Sequence, residues 1–160
     1  TGAVKRMRFT SKTDINAPLN ASFAAIADFE AYERHAKRTG AEVARVDALS
    51  RPGPGMMWAI RMELRGKLQR IEIELADYEP PNKLIFTGGT DSFDAEVLVE
   101  LIALSARETR ATMTVDLKPK TLAARLILQS ARLTKGSITK RIRKRLNKFA
   151  LEIENRVNTA

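Results

Sequence analysis

From Pro119 to about Val157 the chain reads as helix, and its second half carries a single apolar stripe. Ile138, Ile142, Leu146, Phe149, Ile153 and Val157 recur at helical spacing on one side. A stripe of that length needs a surface to bury against, and the rest of the chain must supply it. One straight helix would extend about 57 Å, longer than a domain of this size is wide, so a bend is expected, with Gly136-Ser137 as the hinge.

The surface is supplied by alternating segments. Phe9, Ser11, Thr13 and Ile15 alternate with Arg8, Thr10, Lys12 and Asp14, the period of a strand with one wet face. Pro18 then suits a first helical turn, and Leu19, Phe23 and Ile26, followed by Phe29 and Tyr32, predict two short helices with a break near Asp28. Glu42 to Leu49 reads as a strand, and Arg51-Pro52-Gly53-Pro54-Gly55 as a loop. Gly66-Lys67 is read as the centre of a type II′ hairpin turn. That register pairs Leu64 with Gln69, Met62 with Ile71, Ile60 with Ile73 and Trp58 with Leu75 on an apolar face. It also sets Arg61 opposite Glu72 and Glu63 opposite Arg70 on the other face. Leu84 to Thr87 opens a strand toward a bulge or bend at Gly88-Gly89, and Phe93 to Leu101 and Thr112 to Leu117 alternate as two more. The expectation is an α+β fold: one curved antiparallel sheet of about seven strands, two short helices after the first strand and a long C-terminal helix.

Length and composition fit one domain over 1–160, with residues 1–6 expected to be loose. The absence of cysteine removes disulfides, thiolate metal sites and a cysteine nucleophile, and a reducing cytoplasm is the expected compartment. No apolar run approaches the length of a membrane-spanning helix. The net charge of +9 is localised: 11 of the 28 Lys and Arg but only 2 of the 19 Asp and Glu lie in 119–160, and the rest balances at 17 of each.

The turn and packing residues carry a resemblance. Ile15-Asn16-Ala17-Pro18 followed by Ser22-Phe23 and Ile26-Ala27-Asp28, Pro54-Gly55 before Trp58, and Tyr78-Glu79-Pro80-Pro81 before Leu84 are similar to the START-like (SRPBCC) superfamily. That superfamily includes pollen allergens, polyketide cyclase/dehydrase proteins and coenzyme-Q-binding proteins. The resemblance covers nearly the whole chain and implies a helix-grip fold with a cavity for a hydrophobic small molecule or lipid. None of the matching motifs is catalytic, so the likeness bears on fold more than on activity.

The expected cavity lining is the apolar sheet face, Trp58, Ile60, Met62, Ile71, Ile73, Leu75, Phe86, Val97, Val99, Met113 and Val115, with Leu126 and Leu133 from the helix. About half of these are expected simply to fill the core. His35 lies among Arg34, Lys37 and Arg38 and is expected at the surface rather than as a general base. Carboxylates never gather at ligand spacing, so no metal and no cofactor are expected. Lys140, Arg141, Arg143, Lys144, Arg145 and Lys148 surround the apolar stripe, and Thr134 to Phe149, which also holds Lys135, contains no acid. Three readings compete for them: a solvated helix face, a docking surface for anionic membrane, and an RNA or ribosome surface without interleaved aromatics. The leading expectation is a carrier or sensor of a hydrophobic molecule. The alternatives are a cyclase or aromatase with a polar group aimed into the cavity, and an interaction module with a filled core.

Overall fold

Alternation in the first strand segment produces β1 (Met7–Ile15), whose Met7, Phe9, Ser11 and Ile15 are buried while Arg8, Thr10 and Lys12 face outward. The structure, a computed structural model, describes residues 6–159. Of residues 1–6, expected to be loose, 1–5 lie outside the described residues, and Arg6 pairs with Asp116 at 3.2 Å. After β1 come α1 (Leu19–Ile26), α2 (Phe29–Arg38), β2 (Glu42–Arg45), β3 (Met57–Leu64), β4 (Lys67–Glu79), β5 (Lys83–Gly89), β6 (Phe93–Ser105), β7 (Glu108–Pro119), α3 (Leu122–Leu133) and α4 (Lys135–Thr159). The strands form one seven-stranded antiparallel sheet in the order β1-β7-β6-β5-β4-β3-β2. This is an α+β helix-grip fold, with α4 lying along β1.

The corner after β1 shows why its residues are suited to the place. Ala17 is buried, and its carbonyl accepts the Thr109 hydroxyl at 2.8 Å and the Ser22 hydroxyl at 3.4 Å. Asn16 donates its backbone N–H to Glu154 of α4 at 2.8 Å, so the corner also anchors the long helix. Asp28 caps α2 by accepting the Ala31 N–H, and its other oxygen meets Arg156 at 3.1 Å.

Three expectations are corrected. The β3–β4 turn is Arg65-Gly66, not Gly66-Lys67: both residues have positive φ, 53° and 78°, which makes the turn type I′ in character. The register shifts by two, pairing Leu64 with Lys67, Met62 with Gln69, Ile60 with Ile71 and Trp58 with Ile73. A two-residue shift preserves the faces, so the apolar side is unchanged, but Arg61 now stands opposite Arg70 and pairs instead with Glu42 of β2 at 3.8 Å. β2 stops at Arg45 rather than running to Leu49, because Asp47 folds back on Arg45 and accepts the Leu49 and Met57 N–H groups. The helical break falls at Thr134, two residues before the expected glycine. There Thr134 closes α3 through the Ala131 carbonyl, and its own carbonyl receives the Ile138 N–H in α4.

Packing divides the interior in two. Phe23, Phe29, Trp58, Leu75, Leu84 and Leu101 from the helices and central strands close against Ala150 and Ile153 of α4, and Phe149 and Val157 pack at the edge. Each large side chain fully removed from water there contributes about 1.5–3 kcal/mol. A β-bulge between Leu75 and Asp77 lets both Leu75 and Tyr78 join this core despite their odd spacing. The second cluster is smaller: Met7, Phe9 and Leu128, with Phe93, Val115, Leu117, Ala131, Ile138 and Ile142 around them. The α4 stripe thus serves both, its first turns one cluster and its last turns the other.

Candidate functional site: an apolar cleft between the sheet and the helical break

The second cluster does not close. Between the sheet and the α3–α4 junction lies a cleft of about 510 Å³, within the roughly 300–1,000 Å³ usual for small-molecule sites. Its floor is the inward face of five strands: Met7 and Phe9 of β1, Leu117 of β7, Phe93, Ala95 and Val97 of β6, Phe86 of β5, and Ile71 and Ile73 of β4. Ile127, Leu128 and Ala131 of α3 and Ile138 of α4 form the opposite wall. Thr87 and Thr90 bring the polar side chains, and the Thr90 hydroxyl already accepts the Ser92 and Phe93 N–H groups at 3.1 and 3.2 Å. Among the described residues the lining contains no carboxylate, imidazole, phenol or basic group. What the arrangement can do chemically is remove an apolar molecule from water.

Of the residues expected in the lining, Ile71, Ile73, Phe86 and Val97 border the cleft. Trp58, Ile60, Leu75 and Val99 belong to the closed core, and Val115 packs beneath the cleft cluster. Met62 and Met113 are half-buried without bordering the cleft. Leu126 and Leu133 are corrected outright: they are 57% and 90% exposed. The cause is helical phase. Thr121 caps α3 by accepting the Ala124 N–H, and the face that results turns Ala124, Leu128 and Ala131 inward. Phe9, Phe93 and Leu117 join the lining beyond that expectation, although the same alternation puts them on the inward face.

Trp58 is held rather than adaptable. Its indole N–H donates to Glu33 at 2.7 Å, its ring meets Phe29 at 5.5 Å, and the Arg45 guanidinium lies 5.6 Å from it. Arg45 in turn grips Asp47 with two bonds of 2.7 and 2.6 Å. That grip, with the Met57 N–H, holds the Asp47 carboxyl well below the usual carboxylate range. His35 is exposed on α2.

Two glycines shape the cleft floor. A Cβ on Gly88 would stand 2.3 Å from the Glu72 carbonyl oxygen, and one on Gly89 would stand 2.5 Å from that of Phe93. Ile73, Gly88, Gly89 and Ala95 also line a second hollow of about 790 Å³, whose other walls are charged: Arg6, Arg70 and Lys118 among the cations, Glu72, Glu96 and Asp116 among the acids. The apolar and the charged hollow therefore share a wall. Among the described residues no group of three or more His, Cys, Asp or Glu is placed to hold a metal.

A family profile described as polyketide cyclase / dehydrase and lipid transport matches residues 6–154. The chain belongs to that family. No curated protein matches it in sequence. Among solved structures, the ZhuI aromatase/cyclase from Streptomyces sp. R1128 is similar with a TM-score of 0.68 at 15% identity, over 95% of this chain and 96% of that one. Ara h 8.0201 is similar with a TM-score of 0.61 at 16% identity, over 97% and 99% of the two chains. A START superfamily protein from Mycobacterium smegmatis follows at 0.54 and 14%, over 86% and 97%. At these identities the likeness establishes the shared fold. Family membership makes hydrophobic-ligand binding or cyclase-type chemistry the functional frame.

The six basic residues of α4, Lys140, Arg141, Arg143, Lys144, Arg145 and Lys148, are all exposed. The ion pairs among the described residues use Arg6, Arg8, Arg45, Arg61, Lys83, Arg110, Lys120 and Arg156 instead. No helix among the described residues is long and apolar enough to cross a membrane.

Proposed function

We propose that the protein binds and carries an apolar small molecule or lipid in the cleft between the sheet and the α3–α4 junction. The observation that carries this reading is the cleft itself: space of ligand size, walled by methyl, methylene and aromatic groups from five strands and two helices. An occupant would be held by shape and by release of water from apolar surface. A cyclase needs a polar group at the reacting carbonyl. The lining offers Thr87 and an already committed Thr90, which favours holding over turnover. The interaction-module alternative expects a filled interior, and the cleft counts against it.

The test is a fluorescence titration with N-phenyl-1-naphthylamine, followed by displacement with fatty acids, sterols, quinones and aromatic polyketides, alongside native mass spectrometry of protein freshly exposed to a lipid extract. Saturable, displaceable binding is expected. Ala131→Trp, which puts an indole into the cleft from α3, should weaken probe binding by roughly tenfold or more. Unsaturable binding by well-folded protein would sink the carrier reading.

A further inference from the structure

α3 is apolar on two opposite faces, and the fold covers only one. Taking Leu122 as origin, Leu126 and Leu133 fall within about 40° of it around the helix, whereas Ala124, Ala131 and Leu128 fall at about 180–240°. Ala124 and Leu128 are buried, while Leu122, Leu126 and Leu133 are 71%, 57% and 90% exposed. Three leucines on one outward face are not the scattered apolar side chains of an ordinary surface. A helix apolar on both sides is built to be covered on both.

Charge decides what covers the second side. Arg125 and Arg132 of α3 flank the leucines and are exposed. From Leu117 to Leu151 the sequence holds 11 Lys and Arg and no Asp or Glu. A second copy seated on this stripe would bring the like charges of the two segments together. An occupant that is apolar at its centre and anionic at its edge satisfies both requirements, and a bilayer bearing anionic headgroups has that layering. We propose that α3 is an interfacial helix: Leu122, Leu126 and Leu133 enter the acyl boundary of an anionic membrane while Arg125 and Arg132 meet its headgroups.

This moves the contact from the basic face of α4, one of the three sequence readings of that face, to the outward leucines of α3. The α4 cations add long-range attraction. The placement also has a use. Ile127, itself 57% exposed, borders the cleft, so docking sets the cleft mouth beside the acyl region. Only this last step, passage of a lipid between bilayer and cleft, rests on the carrier reading.

The experiment is flotation of the full chain with vesicles of phosphatidylcholine alone and of phosphatidylcholine with phosphatidylglycerol, at low and high salt. The wild type should float with the anionic vesicles, weakly with the neutral ones, and less at high salt. The variant Leu122→Ser/Leu126→Ser/Leu133→Ser should lose roughly tenfold or more in apparent affinity for anionic vesicles. Its thermal transition and its N-phenyl-1-naphthylamine titration should match the wild type. Because the chain has no cysteine, Leu126→Cys takes a single environment-sensitive fluorophore, whose emission should shift to the blue on adding anionic vesicles. The same label on Lys67→Cys, at the β3–β4 turn, should not shift. Flotation unchanged by the triple variant, or a label at residue 126 that stays in water, overturns the proposal. So does a dimer in sedimentation analysis that the triple variant dissolves, or capture of an acidic protein in place of vesicles. Loss of probe binding with vesicle docking intact would defeat the carrier reading and leave this one standing.

Discussion

Asp47 shows how much one short side chain can fix. It accepts from Arg45, Leu49 and Met57, ends β2, and steadies the guanidinium beside Trp58. Because its folded pKa is depressed, its contribution to stability is complete above the unfolded carboxyl value of about 4 and is lost as pH falls toward the folded value. Asp47→Asn should therefore lower the melting temperature at neutral pH, and the gap between variant and wild type should narrow as pH is reduced through the acid range. A gap independent of pH in thermal melts would contradict this account. Leu126 and Leu133 make the opposite point about single residues. Their hydrophobicity could be read from the sequence, but their direction depended on the phase set by Thr121, and one residue's difference in phase turns a side chain through about 100°.

At the scale of elements, the pattern of about seven strands, two short helices and a bent C-terminal helical segment was legible because alternation and helical spacing are properties of neighbouring residues. The apolar face of the β3–β4 hairpin was legible too, since an error of two residues leaves every side chain on its own side. The register was not, because Gly66 suits both a type II′ turn starting at Gly66 and a type I′ turn ending there, and Arg65 hides its left-handed conformation behind an ordinary side chain. Nor was the bulge at Leu75/Asp77, which depends on how β5 pairs with β4. The glycines can be ranked experimentally. Gly66→Ala meets no neighbour within 4 Å but must hold φ near 78°, so a loss of about 1 kcal/mol is expected. Gly88→Ala would drive a methyl into the Glu72 carbonyl, and a loss above about 2 kcal/mol is expected. Urea denaturation of the two variants gives the order directly, and the reverse order would refute the close-approach argument.

For the whole molecule, one helix serves both the closed core and the open cleft. Ile153→Ala, at a fully buried site far along α4, should remove about 2–5 kcal/mol of stability. The affinity of the protein that remains folded, measured by probe titration well below its melting temperature, should be unchanged. Charge reversal at Lys140, Lys144 and Lys148 should leave the denaturation midpoint within about 0.5 kcal/mol of wild type, since all three are exposed and outside the ion pairs described. The cleft was the least legible part of the site in sequence, because whether an apolar side chain fills space or borders it depends on the distance between layers. Its floor has one more property. At Gly88 and Gly89 the partition between the oily room and the charged one is a single layer of peptide with no side chain on either surface. Their backbone amides sit in a party wall, where an NMR resonance responds to an arriving tenant on one side and to salt or acid on the other. The two glycines are a built-in pair of reporters, able to say from which room a disturbance came.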